Sequence, residues 1–146
     1  MPDDDYRPRY GAQTKARKAA LDILFASDQR NRGFLETLEE LRQVGDVPLR
    51  EFTVTLVEGV ANHLAAIDDR ISTCLSERWT LTRMPAVDRN LARIATFVID
   101  YTNVPDATAI AEAVRLGGDL STDSSPGFLN GVLKSVAAGK QAPEET

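Results

Sequence analysis

The sequence predicts an all-α protein, a single compact domain of six or seven helices in packed helical bundles. Apolar residues recur at steps of three and four along most of the chain, which is the period of one helix face. No segment shows the sustained alternation of a strand, and no Asn-Gly or Asp-Gly pair separates two apolar runs as it would in a hairpin. With 146 residues, the chain has the length of one domain and can bury a substantial core.

The stretch 85–101 predicts the central helix of this domain. Its large apolar residues follow the helical step, and Phe97 and Ile99 widen their arc. A helix that is apolar over so wide an arc lies between other helices and not on the surface of one. Pro85 suits the first turn, and Pro105 follows the end of the helix. The residues at the helical step are Val87, Leu91, Ile94, Val98 and Tyr101.

Three helical patterns precede the central helix. The first predicts a helix from about residue 13 to 31, the second a short helix over 34–41, and a glycine soon follows each as an end signal. The third pattern extends over 49–75 at steps of three and four. Gly59 and Asn62 can break or bend this run, so it predicts either one helix or two in series.

Two more helices are predicted after the central one, over 107–120 and from Ser125 to about Gly139. In the last helix Ser125 is the predicted N-cap and Pro126 the first helical residue. Gly131 lies inside this helix, where a glycine costs about 1 kcal/mol relative to alanine. We therefore expect another helix to approach closely at Gly131.

The composition is that of an ordinary globular protein, with 42% hydrophobic and 27% charged residues. No apolar run reaches the roughly 18 residues of a membrane span, and the N-terminal residues lack the apolar segment of a signal peptide. Cys74 is the single cysteine, which excludes an internal disulfide and a cysteine-based zinc site. We expect a cytoplasmic protein without a cofactor or metal, with a folded domain over 12–139 and flexible tails over 1–11 and 140–146.

The net charge of −5 conceals an uneven distribution. Residues 6–20 contain five basic residues and no acidic one, so the rest of the chain carries a net charge of −10. A basic segment on an acidic body predicts a local anion-binding site, with nucleic acid as the main candidate. An ordinary solvated helix face is the alternative. The basic residues are Arg7, Arg9, Lys15, Arg17 and Lys18.

The first helix has a physical basis for binding nucleic acid. Lys15 and Lys18 share one side of the helix, and Arg17 lies on a neighbouring side. The helix N-terminus adds free N–H groups and the positive end of the helix dipole. Charge alone gives weak and unspecific binding with a steep salt dependence. Specificity needs base-edge hydrogen bonds and stacking surfaces, and single-stranded RNA offers both.

No arrangement of residues predicts an enzyme. His63, the single histidine, has no evident partner and is interpreted as a surface or boundary residue. Cys74 lies beside an apolar helical stripe, which is typical of a packing thiol. Asp68 and Asp69 are adjacent on a helix, point about 100° apart and are expected to be solvated. The pair Gly117–Gly118 lacks the Lys and Ser/Thr of a phosphate-binding loop.

Several stretches, in order, give the sequence a resemblance to the NusB family of transcription antitermination factors. The last predicted helix contains Phe-Leu-Asn-Gly-Val-Leu (128–133), close to the family's Phe-Val-Asn-Gly-Val-Leu. Pro-Ala-Val-Asp-Arg (85–89) and Leu-Ala-Arg-Ile-Ala (91–95) resemble its central helix. Ile-Ala-Glu-Ala-Val (110–114) resembles the next helix, and Ala-Arg-Lys-Ala-Ala (16–20) the basic first helix. The resemblance extends over nearly the whole chain.

The resemblance implies an all-helical RNA-binding protein whose partner is NusE, which is also a small-subunit ribosomal protein. The pair would bind the boxA element of nascent ribosomal RNA as a single strand and join an antitermination complex on RNA polymerase. In the last helix, Phe128 and Asn130 would line the RNA path beside the first helix. The full set of residues expected to contact RNA is Lys15, Arg17, Lys18, Phe25, Arg93, Asp123, Phe128 and Asn130. Asp88 is expected on the exposed side of the central helix, where it would contact NusE. The full set of residues expected to contact NusE is Trp79, Met84, Asp88 and Arg89.

The chain departs from the family pattern at several positions. Gln13 and Thr14 stand where arginines are common, and Gly117–Gly118 replaces the usual Ala-Lys, so the basic surface is thinner. Val98 replaces a common glutamate and favours self-association through a wider apolar arc. The alternative function is therefore a helical protein–protein adaptor, or a homodimer, with little RNA binding of its own. A NusB-like domain also precedes ribosomal-RNA cytosine methyltransferases, but no catalytic domain is expected here.

Overall fold

A computed structural model describes residues 9–45 and 48–140 of the protein. No residue in these two ranges lies in a strand, and the all-α prediction is confirmed. None of the described helices is long and apolar enough to cross a bilayer. The elements are α1 (Ala12–Arg30), α2 (Phe34–Val44), α3 (Glu51–Asn62), α4 (Leu64–Thr73), a 3₁₀ turn (Leu81–Arg83), α5 (Ala86–Tyr101), α6 (Asp106–Leu120) and α7 (Ser125–Ala138).

Helix α5 is the centre of the fold, as its wide apolar arc predicted. Every residue from 90 to 99 is buried, because α1, α3, α4, α6 and α7 all pack against this helix. Helices α6 and α7 pair as a hairpin, and α1, α2 and α3 pack on one another. The side chains of residues 90–99 therefore contact the other helices and have little exposure to solvent.

The long third pattern of the sequence is two helices, which meet at His63. The backbone there leaves the helical region, with φ −124° and ψ 22°. The imidazole stacks on Tyr101 with ring centroids 4.1 Å apart, and Tyr101 stacks on Phe97 at 5.6 Å. Gly59 lies inside α3 and does not break the helix. A Cβ at Gly59 would lie 2.2 Å from ring atoms of Phe97, so glycine permits the close approach of α3 to α5.

The start of α7 differs from the prediction. The helix begins at Ser125, and Ser124 precedes it without a side-chain capping bond. The Ser125 hydroxyl is not a cap, because it bonds to the carboxylate of Asp88 at 2.8 and 2.9 Å. The expectation of a close helix approach at Gly131 is also wrong, since a Cβ there would have no neighbouring atom within 4 Å.

We predict that Gly59→Ala destabilises the protein and that Gly131→Ala does not. The methyl group at position 59 would overlap the ring of Phe97, which is buried and stacked, and overpacking of this kind costs on the order of 1–3 kcal/mol. At position 131 the methyl group enters open space, and the higher helix propensity of alanine is worth up to about 1 kcal/mol. Urea denaturation measures both free energies of unfolding, and equal stability of the two variants would contradict the assigned α3–α5 contact.

Candidate nucleic-acid interface

Arg93, which the sequence offered as an RNA contact, is enclosed in an ion-paired cluster. Its guanidinium donates to both carboxylate oxygens of Asp68 at 2.8 and 3.0 Å, to Asn90 Oδ1 at 3.0 Å and to Asp28 Oδ2 at 3.4 Å. It also lies 5.7 Å from the ring centre of Phe34. Arg93 is only 8% exposed. The expectation of a surface cation is wrong, as is that of a solvated Asp68, because the two groups neutralise each other between α4 and α5.

Arg89 extends this cluster to the connection that precedes α5. It donates to the carbonyl oxygens of Leu81 at 3.2 Å and Met84 at 3.4 Å, and to Asp28 at 3.2 Å. Met84 belongs to the hydrophobic core. The structure therefore corrects the expected partner contacts at both positions. Met84 has almost no surface to offer, and Arg89 holds the connection against α1 and α5.

Asp88 lies on a buried side of α5, so the expectation of an exposed partner contact is wrong. Its carboxylate is 2% exposed and accepts hydrogen bonds from Ser121 at 2.6 Å and from Ser125. Ser125 Oγ in turn accepts from the Thr122 amide at 3.1 Å. These bonds hold the loop between α6 and α7 on α5. Asp123 lies in the same loop and is exposed to solvent. Asp88 therefore stabilises the loop on which Asp123 is located.

Lys15, Lys18, Asp22 and Phe25 form a stripe on one side of α1, at steps of three, four and three; Lys18 is half-buried and the other three are exposed. Lys18 and Asp22 form an ion pair of 3.0 Å at the surface, which contributes at most about 1 kcal/mol and opens readily. The Phe25 side chain is 36% exposed. Cations followed by an exposed ring offer a single strand both phosphate contacts and a stacking surface. We call these four residues the α1 stripe.

Arg17 is not part of the α1 stripe. It is 5% exposed, and its guanidinium lies 5.1 Å from the ring centre of Phe52. Burial lowers the pKa of Arg17, and the negative charge of Glu112 partly offsets this effect. Thr14 donates its hydroxyl to the Glu112 carboxylate, at 3.0 and 2.8 Å from the two oxygens. Arg17, Phe52 and Glu112 line an open groove of about 680 Å³ between α1, α3 and α6, which we call the Arg17 groove.

Trp79 and Phe128, predicted for two different partners, are in contact. Their ring centroids are 5.3 Å apart, and both rings line a groove of about 330 Å³ with Cys74 and Gly131. Trp79 is exposed, whereas Phe128 and Asn130 are half-buried. Because α7 packs on α4, α5 and α6, Phe128 lies against Trp79. We call this feature the aromatic groove.

Sequence reasoning missed the contacts between the start of the domain and α6. Tyr10 donates its hydroxyl to Asp119 at 2.7 Å, and Arg115 lies 4.8 Å from the Tyr10 ring centre. Arg115 also donates to the carbonyl oxygen of Arg9 at 3.0 Å. Contacts between residues so distant in sequence leave no local signal. Arg7, the first basic residue of the predicted basic segment, lies outside the described residues.

Within the described ranges, no group of three or more His, Cys, Asp or Glu side chains is placed to hold a metal ion. Cys74 is a free, half-buried thiol in the aromatic groove. The described residues thus present three surface features: the α1 stripe, the Arg17 groove and the aromatic groove.

Comparison with known proteins gives these surfaces a context. The family model described as the NusB family matches residues 14–138. The chain belongs to the NusB family. A relative from Nocardioides sp., named transcription antitermination protein NusB, is 48% identical over 130 residues, which cover 88% of this chain and 96% of the relative. A relative of the same name from Acidothermus cellulolyticus is 51% identical over 130 residues, with 88% and 89% covered.

Solved structures agree with this assignment. The chain resembles T. maritima NusB with a TM-score of 0.78 and 30% identity, over 90% of this chain and 94% of that one. It also resembles a chain in a structure of the antitermination factors NusB and NusE in complex with dsRNA, with a TM-score of 0.75 and 22% identity, over 86% and 96%. The second likeness shows the fold alone. Both the predicted family and the predicted fold class are confirmed.

One of the motifs that carried the NusB resemblance, that of the central helix, has charged residues with internal partners in this structure. Asp88, Arg89 and Arg93 all belong to the central-helix motif, and all three bond to other helices or loops. A motif of this kind identifies the family because it specifies how the helices pack. It does not by itself mark a surface for RNA or for a partner protein.

We predict that Arg93→Ala lowers the free energy of unfolding by roughly 2–4 kcal/mol, because it leaves Asp68 and Asp28 partly buried without their shared cation. Arg30→Ala removes an exposed arginine from the last turn of α1 and should change stability by no more than about 0.5 kcal/mol. Urea denaturation compares the two variants. If both lose the same small amount, the Arg93 cluster does not stabilise the fold.

A second pair of variants tests the role of Asp88. Asp88→Asn replaces an acceptor of serine hydroxyl bonds with an amide that accepts through one oxygen only, and should cost about 1–3 kcal/mol. Asp123→Asn makes the same change at an exposed position of the adjoining loop and should be nearly neutral. Thermal unfolding of both variants at one pH gives the comparison. A larger loss for Asp123→Asn would contradict the assigned bonding.

Proposed function

We propose that this protein is a transcription antitermination factor that binds the boxA element of nascent ribosomal RNA together with NusE, in a complex on RNA polymerase. Membership of the NusB family carries this proposal, since relatives that match most of the chain are named antitermination proteins. The structural relative solved with NusE and dsRNA supports the choice of partners. The protein acts in the cytoplasm, by binding and not by catalysis.

The α1 stripe is the proposed first contact with RNA. Lys15 and Lys18 supply cations to two phosphates, and Phe25 supplies a ring on which a base stacks. Lys18 must exchange Asp22 for a phosphate, which costs little because the pair is exposed. The stripe follows one face of a single helix, so the three contacts can be made by one strand.

The aromatic groove is the proposed place where RNA and NusE meet. Phe128 and Asn130 were expected to contact RNA, and Trp79 was expected to contact NusE. Because the rings of Trp79 and Phe128 touch, the two surfaces adjoin. A ligand that spans them buries apolar area on both partners. Asp123, exposed in the loop before α7, is a further proposed RNA contact.

A helical adaptor or homodimer with little RNA binding is the second candidate. One observation favours it: of the three predicted α1 cations, only Lys15 is both exposed and without an ion pair in the described part of the chain. Arg17 is buried and Lys18 is paired with Asp22. So thin a basic surface gives weak binding when RNA is the only ligand. Tight NusE binding without RNA binding would select this candidate.

Fluorescence anisotropy with a boxA-like single strand and a scrambled strand, with and without NusE, tests the proposal across a salt series. We predict selective binding that tightens with NusE. Lys15→Ala should weaken it and reduce the salt slope by about 0.7, the value of one phosphate contact on a single strand. Phe25→Ala should cost about 1–3 kcal/mol of binding free energy by removing a stacked base.

Two variants on α2 serve as matched controls. Arg42→Ala removes one positive charge and Leu35→Ala one exposed apolar side chain, and neither residue belongs to the α1 stripe or lines the aromatic groove. Each should leave RNA affinity unchanged. Equal binding of the boxA-like and scrambled strands in the presence of NusE would contradict the proposed function.

A further inference from the structure

The Arg17 groove contains a buried cation whose hydrogen-bond donors are unused. Arg17 is only 5% exposed, and its guanidinium makes no hydrogen bond or ion pair with the described residues. A guanidinium carries five N–H donors and keeps its charge at neutral pH. Burial of a charge without a partner is costly, so the groove favours a negatively charged group beside Arg17.

The carboxylates of the groove do not supply this partner. Glu112 acts on Arg17 through its charge, but its carboxylate accepts the Thr14 hydroxyl and forms no ion pair with Arg17. Glu51 is exposed at the groove, as is its sequence neighbour Arg50, and neither makes an ion pair with the described residues. The lining therefore offers two arginine side chains without a carboxylate partner, one enclosed and one at the surface.

The chain has an acidic run just before the residues that line this groove. Residues 1–8, which lie outside the described residues, contain three consecutive aspartates and one arginine, which give a side-chain net charge of −2. We call the run Asp3–Asp5 the acidic segment. It takes no part in the proposed RNA contacts. Its charge complements that of the two arginines in the groove.

The point at which the described chain begins brings the acidic segment within reach of the groove. Arg115 of α6 donates to the carbonyl oxygen of Arg9 at 3.0 Å. Arg9 precedes the lining residue Ala12 by three residues, so the two lie at most about 11 Å apart. Asp5 precedes Arg9 by four residues, which span up to about 14 Å. A chain that folds back at Arg9 can therefore place the acidic segment in the groove.

We propose that the Arg17 groove is the docking site of the chain's own acidic segment, with an aspartate carboxylate on the guanidinium of Arg17. The guanidinium lies 5.1 Å from the ring centre of Phe52, which leaves its N–H groups to a carboxylate whose two oxygens match their spacing. A tether of a few residues gives the segment a millimolar effective concentration at the groove. A contact that is weak between separate molecules is therefore populated within one chain.

Docking of the acidic segment limits the access of other anions to the start of α1. A carboxylate on Arg17 occupies the donors that a phosphate would use, and it places negative charge near the α1 stripe. The segment is thus an intramolecular competitor of RNA. This consequence rests on the proposed function, whereas the docking itself does not. The apparent RNA affinity falls in proportion to the fraction of molecules in which the groove is open.

Nuclear magnetic resonance of the ¹⁵N-labelled full chain tests the docking. The acidic-segment variant, which combines Asp4→Asn with Asp5→Asn, removes two of the three carboxylates. We expect it to shift the amides of Phe52 and Thr108, which line the groove from α3 and α6. Both amides are remote in sequence from the substitutions, so a shift there reports a contact across the groove. Rising salt should move the amides of the unmodified protein to the same positions.

A control variant makes the same charge change elsewhere. Glu39→Gln combined with Asp69→Asn removes two exposed carboxylates that do not line the groove, and should leave its amides unshifted. Unshifted groove amides in the acidic-segment variant would overturn the proposal. Shifts caused instead by Glu144→Gln with Glu145→Gln would also overturn it, because they would assign the groove to the other end of the chain.

Two further variants test whether docking depends on Arg17. Arg17→Met should abolish the shift that the acidic-segment variant produces, since the two changes remove the same contact. Glu112→Gln keeps an acceptor for Thr14 and removes a competing negative charge, so docking should persist to higher salt. The second variant keeps the proposal testable if the spectrum of Arg17→Met shows an unfolded chain. An undiminished shift in Arg17→Met, or release at the same or lower salt in Glu112→Gln, would overturn the assigned contact.

RNA binding separates this inference from the proposed function. With NusE present, the acidic-segment variant should bind the boxA-like strand severalfold more tightly than the unmodified protein, and the control variant should gain little. Equal gains in the two variants would overturn the competition with RNA. Shifted groove amides without selective RNA binding would leave the docking standing and reject the proposed function. Selective RNA binding with unshifted groove amides would do the reverse.

Discussion

The ion-paired cluster around Arg93 is the constraint on which the arrangement of helices depends. Its guanidinium, together with Asn90 and Arg89, connects α5 to Asp28 of α1 and Asp68 of α4. Hydrophobic contacts alone tolerate sliding and rotation of helices, whereas a buried cation between two carboxylates is satisfied in few arrangements. Such a cluster adds less net stability than its contacts suggest, because each charge loses its hydration. We infer that its main contribution is to select one packing of α5 among many apolar ones.

Enclosure of α5 determines where the protein can bind other molecules. The polar residues of the central helix form hydrogen bonds within the protein. On one side of the helix they belong to the Arg93 cluster, and on another side Asp88 bonds to the α6–α7 loop. Ligand-binding groups must therefore come from the outer helices and from their ends. The α1 stripe lies on the first helix, and the aromatic groove lies where the end of α4 meets α7.

The helical period predicted most of the fold, because burial of an apolar face is a local property of the sequence. It predicted α5 as the central helix and left open the break that occurs at His63. The site was harder to predict, since the environment of a polar residue is set by distant partners. Asp88 and Asp123 are both acids near helix starts, yet one accepts bonds from two serines and the other faces solvent. Nothing within a few residues of Asp88 identifies Ser121 and Ser125 as its donors.

Two arginines show how burial and pairing together separate a structural role from a binding role. Arg93 and Arg17 are 8% and 5% exposed, and burial alone gives them the same description. The guanidinium of Arg93 is bonded to two carboxylates and an amide oxygen, so an added anion would have to displace internal partners. Arg17 lies against the ring of Phe52, and Thr14 bonds to the carboxylate of Glu112, so the guanidinium of Arg17 has no hydrogen bond from the described residues. The same physical cost of an unpaired buried charge is therefore offset by internal partners at Arg93, whereas at Arg17 the described residues offset it with an aromatic ring and no ion pair.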